Sequence, residues 1–537
     1  MNDADSSPGA SDAFNLEAMG LTTAGSRGKR GAVLRSGWGP WLGLTALLIA
    51  TVAIRLVALD QPIVENYVGR QIPTAMVARN LERGSGFLKP RLDTGPFPNY
   101  FLVEAPVYQE FLLFVRAITR LPIDAAGRAA SALAAGLAAL ALFCMVRAWK
   151  DTSTALWTVA AFGVLPVTLR YGRSVQPDMF ALALVLLGLA CWQNWSRGGR
   201  WWWLVAGWLC LATGLAARLL FVFVLVACAV LVVRAAEARG RTNGLARGIL
   251  LLVVPSVVVP AAAWYRHARG LLGDGSHASQ GSLVHWVEAI SPLNWLSVDT
   301  WEWVVRFGLI RAFTPIGVLI LGRCLYLKLL DRFWVYWILG ACATLVAVSG
   351  KLHHEYYWLM LAPPVAVACG TLLARFSELA AVERRGPVEA VVIAVVLAAV
   401  SVVLAWSTWK TPDEWTNIRA VAKTVQSRVE PDELLIAREA LLFYADRRGY
   451  RLETEPESIR RAMEEWGATD VPEAPSPADL VSVYDRGVPR ARFIAESGAA
   501  SLAFYRSPAL PLADLPGSRV LVNEPGFLLI ERPRIDR

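Results

Sequence analysis

Charge is scarce in this sequence. Only 18% of its 537 residues are charged, against 55% hydrophobic, and the mean hydropathy is +0.42. A water-soluble chain of this length needs a far more polar surface, so the composition excludes that class and leaves a membrane protein. Cysteine is also sparse: Cys144, Cys191, Cys210, Cys228, Cys324, Cys342 and Cys369 all fall in or at the ends of apolar runs, and none lies beyond Cys369. That excludes a disulfide framework and any CxxC metal pair. The five histidines show no HxxxH or HExxH spacing. The net charge of +9 is modest and sits mostly in short loops between apolar runs, which reads as membrane topology and not as a nucleic-acid-binding face. There is no clear internal repeat, and no low-complexity tract beyond the first 38 residues. Those residues are rich in Ser, Gly and Ala and end in Arg27, Lys29, Arg30 and Arg35. They read as a disordered cytoplasmic tail, too long and polar for an ordinary signal peptide.

What the chain does have is apolar length. Stretches long enough to span a bilayer fall near 40–59, 128–147, 152–170, 179–196, 201–217, 219–234, 247–265, 306–322, 333–350, 356–374 and 388–409. In lipid each must be a helix, because backbone groups find partners only within the segment or in a closed barrel. The basic loops Arg147/Lys150, Arg197/Arg200, Arg234–Arg247, Arg323–Arg332 and Arg375–Arg385 alternate consistently with the basic tail. Eleven spans then put the N-terminus inside and the C-terminus outside. Segment 105–120 carries Glu110 and Arg116 and would break the alternation, so it reads as an oblique or surface-lying helix. The outer face gathers loops 60–127 and 266–305 and turns near 170–178 and 351–355. Beyond residue 410 the chain becomes charged and proline-bearing. Trp415–Val429 has helical periodicity, Leu434–Ala437 is a strand candidate, and Arg519–Val522 with Phe527–Ile530 suggests a closing hairpin, together a small α/β domain outside the membrane.

All five histidines (His267, His277, His285, His353, His354) fall in these predicted outer loops, with Glu65, Glu104 and Asp178. Ionisable groups gathered on one face are raw material for a site, although loops are also where solvated residues belong. Arg170, Arg173, Arg218 and Lys351 break the positive-inside pattern. Cations at that depth suit a lipid phosphate, or simply snorkel to headgroups.

The first outer loop, DQPIVENYVGRQIPTAMVARNLERGSGFLKPRLD, followed by FLVEAPVYQ, resembles that of the bacterial C-type (GT-C) glycosyltransferases. These include the polyprenyl-phosphate-mannose protein mannosyltransferase-like and lipid A aminoarabinose transferase-like families. Pro62, Glu65, Tyr67, Arg70, Gln71, Thr74, Ala75, Ala78, Arg79 and Asn80 match the pattern, as do Glu104 and Pro106, Asp178 in GRSVQPDMF, and the block KLHHEYYWLMLAPPVAVACG. The likeness runs over about residues 40–410. It departs where many relatives have Asp for Glu65, His for Tyr67 and an aromatic for Gly69, and where aminoarabinose transferases have Lys for Ala105.

The resemblance implies a polytopic α-helical GT-C fold and an inverting transfer of sugar from a polyprenyl-phosphate donor to a lipid, polysaccharide or protein acceptor at the outer face of the inner membrane. Such a transfer needs a base for the acceptor's proton and positive charge on the departing phosphate. Glu65 is the expected base, with Asp178 a second catalytic candidate that competes with helix capping. Arg173, Arg218 and Lys351 are expected on the phosphate, and Arg70, Arg79, Glu104, His353, His354 and Tyr356 on the substrates. The resemblance also allows a divalent metal with Glu104 as a ligand, while an interfacial aromatic belt is the other reading of the His pair beside Tyr356, Tyr357 and Trp358. A transporter of lipid-linked glycans is the alternative; it would place charges at the bilayer midplane and show inverted repeats. A partner-binding protein merely anchored in the membrane would not need eleven spans.

Overall fold

The computed structural model describes residues 38–65, 68–95, 97–238, 247–273, 290–382, 387–453, 455–486, 500–505, 519–524 and 527–531. The tail, Tyr67, His277 and His285 lie outside them. The chain divides into Met1–Leu42 and Gly43–Arg537, and the described part of the first unit is the start of a single helix.

Helix follows helix through most of the chain. α1 is Gly39–Leu56, α2 Val68–Glu82, α3 Val107–Thr119, α4 Ile123–Trp149, α5 Thr152–Val164, α6 Pro166–Tyr171, α7 Pro177–Gly198, α8 Trp201–Ala217 and α9 Val224–Ala238. α10 is Val259–Gly273, α11 Thr314–Tyr326, α12 Arg332–Ala347, α13 Ala362–Val382 and α14 Val388–Ala405. Among the described residues six helical stretches are long and apolar enough to cross a membrane, or up to eight if two bent pairs each count as one span; Thr152–Val164, Trp201–Ala217 and Arg332–Ala347 are shorter apolar helices. Every apolar run read from the sequence coincides with one of these. Local chemistry sets the breaks. Asp151 caps α5 by accepting from Thr154 N–H at 2.7 Å, and Pro166 and Pro177 each open a helix, where a missing N–H costs nothing. The 306–322 run is bent by 94° between Val298–Ala312 and α11, where Thr314 takes φ +65°. α7 and α8 approach closely through glycine: a Cβ on Gly207 would lie 2.1 Å from the Trp192 ring.

The loop between α1 and α4 holds two helices. α3 buries Tyr108, Gln109, Leu112 and Val115 and leaves Phe114 and Ile118 exposed. It is too short to span a membrane, and Arg116 ties it to Glu82 of α2 at 2.9 Å.

The C-terminal part carries a five-stranded mixed sheet of order β2-β1-β3-β5-β4. The strands are β1 Leu434–Ala437, β2 Gly449–Arg451, β3 Ala500–Tyr505, β4 Arg519–Glu524 and β5 Phe527–Glu531, with helices α15 Ile418–Arg428, α16 Glu439–Ala445, α17 Pro456–Glu465 and α18 Pro477–Arg486. Strand alternation splits its packing. Leu434 and Ile436 face Ile459, Met463, Trp466 and Tyr484, whereas Leu435 and Ala437 join the core that continues through Ile418, Val421 and Val425. The loop between α2 and α3 extends the sheet: Gly449 of β2 donates to Asp93 O at 2.9 Å and accepts from Gly95 N–H at 2.7 Å.

Candidate functional site

Three helix ends bring the charged residues together. Ala105 N–H bonds Ala216 O at 3.2 Å, strapping the loop before α3 to the end of α8 and setting Glu104 beside Arg218. Arg218 follows α8 directly, in extended backbone at φ −157°. Asp178 occupies the first turn of α7. Arg70, in the first turn of α2, donates to Glu104 Oε2 and lies over the Phe101 ring at 5.1 Å. Arg218 Nη1 donates to the same Oε2 at 3.2 Å, and its Nε pairs with Asp178 Oδ1 at 2.9 Å. Two guanidiniums thus balance two carboxylates. Glu104 and Asp178 are each 1% exposed. Among the described residues Glu104 Oε1 and both Asp178 oxygens accept no hydrogen bond, the 2.9 Å ion pair being poorly aligned for one. Asp178 does not cap its helix: Gln176 stands at the cap position, without a side-chain capping bond.

Aromatic rings close one side. The Arg218 guanidinium lies 5.1 Å from the Tyr356 ring centre and 6.0 Å from that of Tyr357. Tyr356 meets Tyr171 edge-on at 6.0 Å and stacks on His354 at 5.3 Å. His353 packs on His354 at 3.8 Å and on Trp303 at 4.9 Å. Burial, then the charges of His353, Lys351, Arg218 and Arg70, holds the His354 pKa down at about 2. Lys351 ends the short turn Ser349–Lys351 before this pair. The turn is anchored by Glu355, which pairs with Arg170 and, at 2.7 Å, with Arg311.

Several expected site residues are engaged differently. Glu65 is neither a solvated loop carboxylate nor a free base: both oxygens are held by Arg128 Nη2 at 2.7 Å, with both side chains fully buried. Arg79 is spent on joining chain segments, pairing with Asp93 at 2.5 Å and Asp446 at 3.0 Å and donating to Phe443 O at 2.6 Å. Arg173 donates to Thr408 O at 3.1 Å and Ala58 O at 3.0 Å, holding two helix ends. His267 lies within α10 and not in a loop, bonded to Leu88 O at 2.7 Å. Among the described residues no three His, Cys, Asp or Glu side chains converge as a metal site. Glu104 shares its Oε2 with two guanidiniums. The sequence reading passed over Arg128, a fully buried cation in the second turn of the alanine-rich α4, whose other cation, Arg147, lies in the last turn; a cation inside an apolar helix is itself a signal. It also passed over Glu355.

No family sequence model matches the chain, and no curated protein sequence does. Solved structures do. ArnT from Cupriavidus metallidurans bound to undecaprenyl phosphate aligns at TM-score 0.55 and 13% identity, over 92% of this chain and 98% of that one. The apo state of the same protein gives 0.54 and 14% over the same shares. The archaeal oligosaccharyltransferase AglB from Archaeoglobus fulgidus aligns at 0.48 and 11%, over 87% of this chain and 70% of its own. The long apolar helices and the ArnT alignment over nearly both whole chains agree: this is a membrane protein with the GT-C glycosyltransferase fold.

Proposed function

We propose that the chain transfers a sugar from a polyprenyl-phosphate-linked donor to a hydroxyl-bearing acceptor at the outer face of the inner membrane. The observation that carries this reading is Arg218, a buried guanidinium shared by Glu104 at 3.2 Å and Asp178 at 2.9 Å and roofed by Tyr356. Buried charge is expensive, and a network that leaves three carboxylate oxygens without donors is more than packing requires. Undecaprenyl phosphate in the ArnT structure supports a lipid phosphate as the ligand. Residues 39–409 are the transferase part and 410–537 an α/β domain outside, with the N-terminus cytoplasmic. The donor phosphate takes up the positive charge of Arg218 and Arg70, with Lys351 beside the His pair. As the acceptor oxygen bonds the anomeric carbon, the bond to the phosphate oxygen breaks and its electron pair stays on the phosphate. The acceptor's proton passes to a carboxylate, and the configuration inverts. Asp178 and Glu104 have lone pairs to receive it; Glu65, doubly bonded to Arg128, organises the loop. Lipid, polysaccharide and protein acceptors are all consistent with this chemistry.

The test is donor dependence. Arg218→Ala should raise the KM for a polyprenyl-phosphate sugar roughly ten- to hundredfold, as expected for a lost charge-assisted bond, and Arg218→Lys should keep part of the affinity. An unchanged KM in the Ala variant returns Arg218 to a structural role.

A further inference from the structure

The segment entering α2 is held from two sides. One is α4. Arg128 donates to Leu59 O at 3.4 Å, to Gln61 O, to Pro62 O at 2.9 Å and to both Glu65 oxygens. The other is the C-terminal part. The Tyr444 hydroxyl, at the end of α16, accepts from Ile63 N–H at 2.8 Å and donates to Asp124 Oδ2 at 3.3 Å. A phenol has one proton to give and lone pairs to receive, so both bonds are satisfied at once. Asp124 also takes Arg419 Nη2 at 2.6 Å. It stands one helical turn before Arg128 on α4. Ile63 is fully buried, so Tyr444 supplies what water cannot. The same loop is gripped again where Asp446 pairs with Arg83 at 2.6 Å and Arg79 at 3.0 Å, and at the Gly449 bridge.

We infer that the C-terminal α/β part is a working component of the site, with Tyr444 a positioning residue. It fixes the backbone two residues from Glu65 and, through Asp124, the turn of α4 whose next turn carries Arg128. Loop 60–105, which bears Glu65, Arg70 and Glu104, is thereby registered against the membrane helices by a domain that itself touches no reacting atom. The inference rests on the proposed glycosyl transfer for its catalytic consequence, but the tether stands on geometry alone.

Tyr444→Phe keeps the ring and its packing and removes both bonds. In full-length protein in nanodiscs, amide exchange at Ile63 should accelerate roughly tenfold, the scale of one lost hydrogen bond. Turnover should fall by a similar factor while the donor KM moves less than in Arg218→Ala, because the loop that bears Arg70 loses registration while Arg218 keeps its place at the end of α8. Arg419→Gln, at a half-exposed position, loosens Asp124 and uncovers the Tyr444 ring, over which Arg419 lies at 5.8 Å, but leaves both bonds of the Tyr444 hydroxyl; it should lower turnover less, at an unchanged Tm, and carries the test should Tyr444→Phe fold poorly. Unchanged exchange at Ile63 overturns the tether. Faster exchange with unchanged turnover overturns the positioning role and leaves only a strut. Wild-type protein that consumes no donor removes the reaction and the positioning role with it, while the exchange arm still decides the tether.

Discussion

Two carboxylates of the candidate site, Glu65 before α2 and Asp178 at the start of α7, have opposite surroundings, and that difference assigns them different work. Glu65 pairs with Arg128 where both side chains are fully buried, and losing one partner leaves an uncompensated buried charge. Glu65→Gln should therefore lower stability by about 3–5 kcal/mol as well as activity. Asp178→Asn, at a carboxylate that accepts no hydrogen bond among the described residues, should cost roughly two to four orders of magnitude in turnover with a smaller loss of Tm than Glu65→Gln, since Arg218 keeps Glu104 as a partner. Thermal unfolding and turnover of both variants separate the roles. A Glu65→Gln protein of normal Tm but no turnover would restore Glu65 as the base. His354 adds a pH signature. Its folded pKa of about 2 lies below the ordinary 6.5, so the unfolded chain binds the proton first as pH falls. Stability is thus full above about 6.5 and declines as pH drops below it toward 2. His354→Phe should flatten that acid limb in a pH series of Tm; an unchanged limb places the titrating group elsewhere. The residue types at the site were readable in the sequence, since Arg70, Glu104, Asp178, Arg218, His354 and Tyr356 all stood out against apolar surroundings. Their pairings were not. Arg70, Arg79 and Arg173 look alike in a loop, and only tertiary contact decides which guanidinium serves the cluster and which holds carbonyls or joins segments.

At the scale of elements, the docking of the first loop onto β2 depends on Gly449. A Cβ there would sit 1.7 Å from the Leu435 carbonyl oxygen, so no side chain fits between β1 and β2. Gly449→Ala should cost about 1–3 kcal/mol and release the 91–100 turn to proteolysis; cleavage kinetics like wild type would contradict that dependence. The same elements show what periodicity reveals. β1 was legible as a short apolar run and the β4–β5 hairpin as two such runs close together in the sequence, and the helix before β1 because its apolar positions recur at helical spacing. β2 was not: three residues, Gly449–Arg451, held in place by parallel neighbours and by a loop more than 350 positions earlier in the sequence, leave no local signal. The long apolar runs gave the helices, but composition alone could not place the break at Pro166 inside 152–170 or the 94° bend before α11. Those depend on one proline and on one residue in the left-handed region.

For the whole molecule, the proposed orientation predicts opposite compartments for reporters fused after residue 537 and within loop 323–332; matching compartments would overturn it. The central claim is chemical, and one measurement meets it directly. Purified full-length protein in nanodiscs, given a labelled polyprenyl-phosphate sugar and a membrane extract as acceptor source, should release free polyprenyl phosphate with first-order consumption of donor. Asp178→Asn should abolish that release while still binding the donor. Intact donor after prolonged incubation across several sugars and acceptor extracts, or release that persists unchanged in both the Asp178→Asn and Arg218→Ala proteins, would contradict the account.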